Sequence, residues 1–170
     1  NTIFYTVVGT LVNLVLTILA AYPMSRTEFN GYRFINMFVA LTMFISATGM
    51  MIPLYLVVRG LNLLDTRLAL LIVFGAFPYY IILLRSFFQQ MPEEMFEAAR
   101  LDGAGEFLIL LKIVLPLSIP ALATIGLYYG INRWNGYFWA MIFIRDEAKH
   151  PLQVVLRELI VLASMGEEMD

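Results

Sequence analysis

The stretch EAARLDGAGEFLILLKIVLP, residues 97–116, is a partly polar segment that leads from one long apolar run into the next. It opens on Glu97-Ala98-Ala99, has Gly103 after three further residues, and after nine more reaches Ile113 and then Leu115-Pro116. Helix-forming residues followed by a glycine predict a short helix that stops in a tight turn. The segment therefore predicts a loop that projects between two membrane-spanning helices.

The chain around this segment is unusually apolar. Hydrophobic residues make up 61% of the 170 residues and the mean hydropathy is +0.79, whereas the apolar share of soluble domains is roughly 45–50%. All 11 basic and 13 acidic side chains lie outside four uncharged runs, at 1–25, 34–58, 68–84 and 113–132. A spanning helix needs roughly 20 apolar residues. We therefore predict an all-α, polytopic transmembrane bundle with spans at about 2–24, 34–58, 68–88 and 113–131.

A shorter apolar piece, residues 136–144, follows the fourth predicted span. It is too short to cross a bilayer, so we predict a re-entrant or interfacial segment, or a helix that continues at an angle. The aromatic residues in and beside it suit a membrane interface; they are Trp134, Tyr137, Phe138 and Trp139. Because the chain opens without methionine and closes on a polar tail, we expect it to be part of a longer protein.

The basic residues of the loops do not decide which side of the membrane is cytoplasmic. The side that carries residues 97–116 has five of them: Arg26, Arg33, Arg85, Arg100 and Lys112. The opposite side has six: Arg59, Arg67, Arg133, Arg145, Lys149 and Arg157. Charge alone therefore leaves the orientation open.

The residues before Gly103 have the composition of a short helix on which another protein can dock. Residues 92–94, Pro-Glu-Glu, predict a helix start, because proline fits the first turn and acids favour the positive end of the helix dipole. Met95, Phe96 and Ala99 fall at helical spacing and predict an apolar docking face. The small side chains of Ala98 and Ala99 would let a partner's backbone approach closely.

Gly103 is predicted to take a positive φ and end this helix. A second helix, residues 106–115, would then leave in a new direction. Pro116 and Pro120 are predicted to bend the helix that enters the membrane.

The spacing across residues 97–116 resembles the EAA loop of the membrane-spanning subunits of binding-protein-dependent ABC importers. The resemblance implies that residues 89–116 form a cytoplasmic coupling loop that docks on a separate ATPase subunit. It also implies that residues 1–170 are a single permease transmembrane domain of the MetI-like kind, a fragment that lacks one flanking span at each end. Carried over by position, the docking residues are Glu97, Ala98, Ala99, Asp102, Gly103, Ala104, Ile113, Leu115 and Pro116. We expect Gly103→Pro, or a bulky residue in place of Ala99, to abolish transport-coupled ATP hydrolysis.

Three further segments, residues 115–124, 133–138 and 151–156, are similar to carbohydrate-uptake permeases of the maltose type, especially those for polysaccharides and oligosaccharides. Ile119 departs from these relatives, which often have lysine there. The resemblance implies ATP-driven import of a sugar by alternating access across the bacterial cytoplasmic membrane. It implies as partners ABC ATPase subunits that bind the ATP and Mg, a second permease subunit, an extracytoplasmic solute-binding protein, the sugar and membrane lipid.

Residues that contact the substrate are less evident. Asn132, Trp134 and Asn135 lie where the fourth predicted span ends, and aromatic faces and amides suit sugar rings and hydroxyls. An interfacial anchor is the alternative for Trp134 and Asn135, and it is the one we favour. Asn13, Thr48 and Asn132 could line a polar path, or could pack between helices.

Catalysis by this chain is not expected. It has no Gly-x-x-x-x-Gly-Lys-Ser/Thr sequence for binding ATP, no cysteine, and no histidine other than His150, so we predict no catalytic residue, no cofactor and no metal site. A net charge of −2 argues against nucleic acid as a partner. Three alternatives stay open: an ABC importer for a non-sugar solute, an ion-coupled secondary carrier, and a membrane scaffold. The uncharged spans argue against proton coupling.

Overall fold

The computed structural model describes residues 1–26, 31–45 and 49–167, and these ranges contain helices and no strand. The helices confirm the predicted all-α class. In chain order they are α1 (Thr2–Ser25), α2 (Tyr32–Thr42), α3 (Met51–Gly60), α4 (Arg67–Ile72), α5 (Pro78–Phe88), α6 (Glu93–Leu101), α7 (Glu106–Ile109), α8 (Leu115–Leu117), α9 (Ile119–Asn135), α10 (Phe138–Phe143) and α11 (Leu152–Glu167). A π-helical turn, Leu110–Val114, joins α7 to α8, and a short 3₁₀ helix, Glu147–Lys149, precedes α11. Thr48 lies outside the described residues.

Helix α1 matches the first predicted span. Its 24 residues carry no charge, and at about 1.5 Å per residue they are long enough to cross a bilayer. Pro23 lies in its last turns. Among the described residues, α1 is the one helix that is long and apolar enough to cross a membrane by itself.

The second and third predicted spans are not single helices, so that part of the prediction is wrong. Residues 34–58 are divided between α2, which ends at Thr42, and α3, which begins at Met51. Residues 68–88 are divided between α4 and α5 by a break at 73–77. The second break has a local cause, because Pro78 disfavours helical geometry at the preceding residue, and Phe77 is extended at φ −102° and ψ 129°.

The fourth predicted span is bent. The segment Glu106–Leu117 and helix α9 meet at an angle of 81°. The bend is at Ser118, whose buried hydroxyl donates a hydrogen bond to the Val114 carbonyl oxygen at 2.6 Å. Pro116 and Pro120 flank it and lack the N–H groups that a continuous helix would use. The prediction that these prolines bend the entering helix is confirmed.

The described residues form two compact units by internal contact. Unit 1 comprises the described residues within 1–13, 47–75 and 128–170, and unit 2 those within 14–46 and 76–127. The core of unit 1 is built mainly by α3, α4 and α10, whose buried side chains include Val58, Leu70 and Phe143. Buried side chains of unit 2 include Tyr22, Leu84 and Phe96. The prediction of one transmembrane domain over residues 1–170 stays a prediction.

Candidate functional site

Helix α6 in unit 2 contains the Glu97-Ala98-Ala99 sequence, and both of its ends are fixed by local rules. Pro92 precedes it with φ −57° and ψ 133°, and Glu93 and Glu94 occupy the first turn. At the other end Gly103 has φ +82°. The Gly103 and Ala104 amides donate to the carbonyl oxygens of Arg100 and Ala99, each at 3.0 Å. This pair of bonds is a Schellman motif, so the predicted stop at Gly103 and the restart of the helix at Glu106 are confirmed.

The two faces of α6 differ from the predicted arrangement. Phe96 is 0% exposed and Ala99 is 9% exposed, because both side chains face the interior of the chain. The prediction that Met95, Phe96 and Ala99 form an apolar docking face is therefore wrong for Phe96 and Ala99. A bulky residue at Ala99 would overpack the interior before it touched a partner.

The outward face of α6 is formed by Glu94, Glu97, Ala98 and Leu101, and we call it the docking face. Leu101 is 89% exposed, the largest exposed fraction of any large apolar side chain among the described residues. The sequence prediction missed it, although its spacing of four residues from Glu97 and three from Ala98 placed it on that face. Its exposure makes Leu101 the main apolar group that α6 offers to a partner.

The other predicted docking residues lie outside α6. Asp102, Gly103 and Ala104 form the turn that ends the helix. Ile113 lies in the π-helical turn, and Leu115 and Pro116 lie in α8, next to the bend at Ser118. Their position indicates a part in shaping the entry to α9, and their role in docking stays a prediction.

Polar contacts hold α6 and α7 against the last turn of α1. The Tyr22 hydroxyl donates to Oε2 of Glu106 at 2.7 Å, and Nε of Arg100 donates to Oε1 of the same carboxylate at 3.0 Å. Hydrogen bonds from the Tyr22 hydroxyl and from Arg100 hold the pKa of Glu106, which lies in the predicted coupling loop, below its usual value. Glu106 therefore remains a carboxylate that accepts from both groups at neutral pH.

Arg26 makes a second link between α1 and α6. Its guanidinium carbon lies 3.3 Å from the centroid of the Phe96 ring and 5.4 Å from that of Tyr22. Nη1 donates to Oε2 of Glu93 at 3.4 Å, and only 12% of the side chain is exposed. The same end of α1 is also bound from α5, because Nε of Arg85 donates to the Met24 carbonyl oxygen at 3.0 Å.

A cavity of about 420 Å³ opens beside these links. The residues that line it include Leu19, Tyr22, Arg26, Arg100, Glu106 and Phe107. Its walls come from α1 and from the segment that α6 and α7 form. Repositioning of α6 relative to α1 would therefore change the size of this cavity.

The predicted substrate-path residues lie in unit 1, at the end of α9. Asn132, Trp134 and Asn135 are all exposed, and Trp134 retains 46% of its accessible surface. The structure brings these three side chains to one helix end. Sugar contact and interfacial anchoring both stay predictions for Trp134 and Asn135.

Arg133, between those residues, turns inward and was missed by the sequence prediction, which counted it as a loop charge. Its guanidinium donates to the carbonyl oxygens of Leu70, Leu71 and Phe74, the latter two at 3.1 Å, and to Oδ1 of Asn13 at 2.6 Å. Asn13 in turn donates to the Phe74 carbonyl oxygen at 2.8 Å. These contacts support the packing role for Asn13 that the sequence left open.

The end of α4 is what Arg133 stabilises. Carbonyl groups at a helix C-terminus lack partners within the helix and carry partial negative charge. In a bilayer such groups need a donor, and Arg133 supplies several from one side chain. Arg133 therefore supplies hydrogen bonds to the carbonyl groups at the break between α4 and α5.

Gly9 leaves room for Arg133. A Cβ atom at Gly9 would lie 2.8 Å from Nε and 3.0 Å from Cδ of Arg133, whose guanidinium is fixed by its carbonyl partners. We expect Gly9→Ala to destabilise the folded protein by about 1–3 kcal/mol through overpacking, measured by denaturant unfolding in detergent. Gly60→Ala is the control, because a Cβ there meets nothing within 4 Å. Equal stability of the two variants would contradict the prediction.

Two further residues, Gly126 and His150, have contacts that indicate structural roles. In unit 2, a Cβ at Gly126 would lie 3.3 Å from Cδ1 of Leu14, which is consistent with close packing of α1 on α9. His150 contacts the Ile144 carbonyl oxygen at 3.1 Å through Nε2. The described ranges hold no group of three or more potential metal ligands.

Comparison with known proteins supports one family. The profile of the family described as "binding-protein-dependent transport system inner membrane component" matches residues 3–168. Protein LplC of Bacillus subtilis is 43% identical over 163 residues, which are 96% of this chain and 55% of that protein. The polygalacturonan/rhamnogalacturonan transport system permease protein YtcP of the same organism is 42% identical over 162 residues, covering 95% of this chain and 56% of YtcP.

A solved structure is also similar. It is described as the crystal structure of a bacterial ABC transporter involved in the import of the acidic polysaccharide alginate. The match has a TM-score of 0.90 and 46% sequence identity, and it covers 95% of this chain and 57% of the other. The chain thus spans a little more than half the length of the proteins it resembles.

Proposed function

Because this chain belongs to the family of binding-protein-dependent transport system inner membrane components, we propose that it is the core of a permease subunit of an ATP-driven importer. The observation that carries the proposal is α6, a short helix that Pro92 precedes and Gly103 ends, and whose docking face exposes Glu97, Ala98 and Leu101. An exposed leucine beside a small residue and a carboxylate suits insertion into a cleft of another protein. We propose that α6 inserts into a cleft of an ABC ATPase subunit.

The cargo we propose is a sugar or oligosaccharide. Support comes from YtcP, whose name assigns it to polygalacturonan and rhamnogalacturonan transport, and from the alginate importer. Trp134 and Asn135 offer an aromatic face and an amide at the end of α9. A non-sugar solute is the nearer alternative, because the docking helix reports the energy source and not the cargo.

The full complex we propose contains this permease, a second permease subunit, ABC ATPase subunits and an extracytoplasmic solute-binding protein in the bacterial cytoplasmic membrane. The ATPase subunits would bind ATP and Mg, since the chain has no P-loop sequence. ATP binding would draw the ATPase subunits together and move α6. The permease would then alternate between outward-facing and inward-facing states.

The test is co-purification of the full-length permease from its native membrane, followed by mass spectrometry. A stoichiometric P-loop ATPase is expected with the natural chain. Leu101→Asp should weaken its retention at least about tenfold, because a charge would replace a central apolar contact. Leu101→Met keeps the apolar volume and should retain the ATPase.

Two outcomes would contradict the proposal. Isolation of the natural permease without any ATPase would favour an ion-coupled carrier. Full retention of the ATPase by Leu101→Asp would mean that the docking face lies elsewhere. Uptake of radiolabelled oligogalacturonide into vesicles, compared with uptake of amino acids, would then separate a sugar from a non-sugar cargo.

A further inference from the structure

Two side chains at the C-terminal end of α1 reach the segment that carries the docking face: Tyr22 in its last turn, and Arg26, the residue that follows Ser25. The Arg26 amide donates to the Pro23 carbonyl oxygen at 3.2 Å, so Arg26 directly continues the end of the helix. Tyr22 binds Glu106 at the start of α7, and Arg26 lies against Phe96 of α6. Arg100 closes the network by binding the same Glu106 carboxylate. All of these residues belong to unit 2.

Arg26 contacts α6 chiefly through the face of its guanidinium group. The 3.3 Å distance to the centroid of the Phe96 ring is that of close stacking. Arg26 also forms an ion pair with Glu93, with 3.4 Å between Nη1 and Oε2. The Glu93 side chain is 58% exposed, so solvent weakens this ion pair. The stacked ring, which is fully buried, is therefore the stronger connection.

Two donor atoms of the Arg26 guanidinium are buried. Nε and Nη2 are buried and have no acceptor among the described residues. Arginine keeps its charge in proteins, and buried donors without acceptors are unfavourable. The contact between Arg26 and the Phe96 ring is therefore the main interaction of this guanidinium with α6.

From this geometry we infer that Arg26 is the positioning residue that transmits movement of α6 to α1, with the Tyr22–Glu106 contact as its second point of attachment. The inference rests on the proposed docking of α6 on an ATPase. A displaced α6 pushes or pulls the last turn of α1 through the Phe96 ring. Because α1 is one helix from Thr2 to Ser25, movement of its last turn becomes movement of a membrane-spanning element.

The experiment follows α1 directly in the purified complex of permease and ATPase. The 170 residues contain no cysteine, so Leu19→Cys, at the cavity, provides a single reporter once cysteines elsewhere in the complex are replaced. The rate of N-ethylmaleimide labelling is measured without nucleotide and with ATP plus vanadate. With Arg26 present, we expect nucleotide to change that rate at least about fivefold, the lower end of typical allosteric coupling.

Arg26→Lys keeps the charge but loses the planar group that stacks on Phe96. We expect ATP hydrolysis by the complex to stay within about twofold of the natural rate, while the nucleotide-dependent change in labelling disappears. Phe96→Leu should also lose the nucleotide-dependent change in labelling. Phe96→Tyr, which keeps the ring, should retain that change. Arg33→Lys, an exposed arginine of α2, is the matched control and should leave it intact.

The outcomes are separable. If no ATPase co-purifies with the natural permease, the proposed function fails. If the ATPase binds and Arg26→Lys still shows the full change in labelling, the inference alone is overturned. If Arg26→Lys does not assemble, Phe96→Leu decides, since it removes the ring on which Arg26 stacks; an unchanged response there overturns the inference as well.

Discussion

We expect the Gly103→Pro permease to insert into the membrane and to lose all ATPase-driven transport. Gly103 has φ +82°, whereas proline fixes φ near −65°. Proline also removes the N–H that donates to the Arg100 carbonyl oxygen. It further disfavours the helical geometry of the preceding residue, Asp102, which has φ −74° and ψ 2°. The turn after α6 therefore cannot form, and the docking face loses its orientation.

The measurement combines membrane insertion, ATPase co-purification and uptake in vesicles. Insertion should be normal, because α1 and α9 do not depend on this turn for their own hydrogen bonds. Gly105→Ala is the control: Gly105 has φ −74°, and a Cβ there meets nothing within 4 Å, so activity should stay within about twofold of the natural chain. Normal transport by inserted Gly103→Pro would refute the docking role of α6.

The second large effect is expected from Arg133→Met, which should destabilise the folded protein by at least about 3 kcal/mol, since each buried acceptor left without a donor costs about 1–3 kcal/mol. The variant removes the donors to the Leu70 and Leu71 carbonyl oxygens and to Oδ1 of Asn13, whereas the Phe74 carbonyl oxygen keeps its hydrogen bond from Asn13. In a bilayer no water replaces those donors. Arg133→Lys should recover only part of the loss, because an ammonium has three donors and cannot reproduce the planar fork.

Stability is measured by denaturant titration of the protein in detergent, with Arg59→Met as the matched control. Arg59 lies in the last turn of α3 in the same unit and is exposed, so its replacement should change the free energy of unfolding by no more than about 0.5 kcal/mol. If Arg133→Met unfolded at the same denaturant concentration as Arg59→Met, the carbonyl contacts of Arg133 would not be needed for folding.

Much of the helical layout follows from local signals. The four uncharged runs predicted membrane helices, and α1 has nearly the predicted bounds. The breaks were harder to predict, because an apolar run does not reveal whether one helix or two crosses it. Yet the break before Pro78 had a signal, since Gly75 and Pro78 stand in the middle of the third run. The length of the apolar run by itself does not reveal this break.

The candidate site divides in the same way. The sequence by itself determined where α6 begins and ends and that Gly103 takes a positive φ, because capping and backbone sterics act between neighbours. Only the tertiary structure decided that Phe96 faces inward and Leu101 outward, since helical periodicity defines faces without saying which one is covered. It alone decided that Arg133 turns inward and is partly buried, because the acceptors of its guanidinium lie 59 to 120 residues away along the chain. A charge next to an apolar run can reach water or carbonyl groups, and only the packing of distant segments determines which of the two it meets.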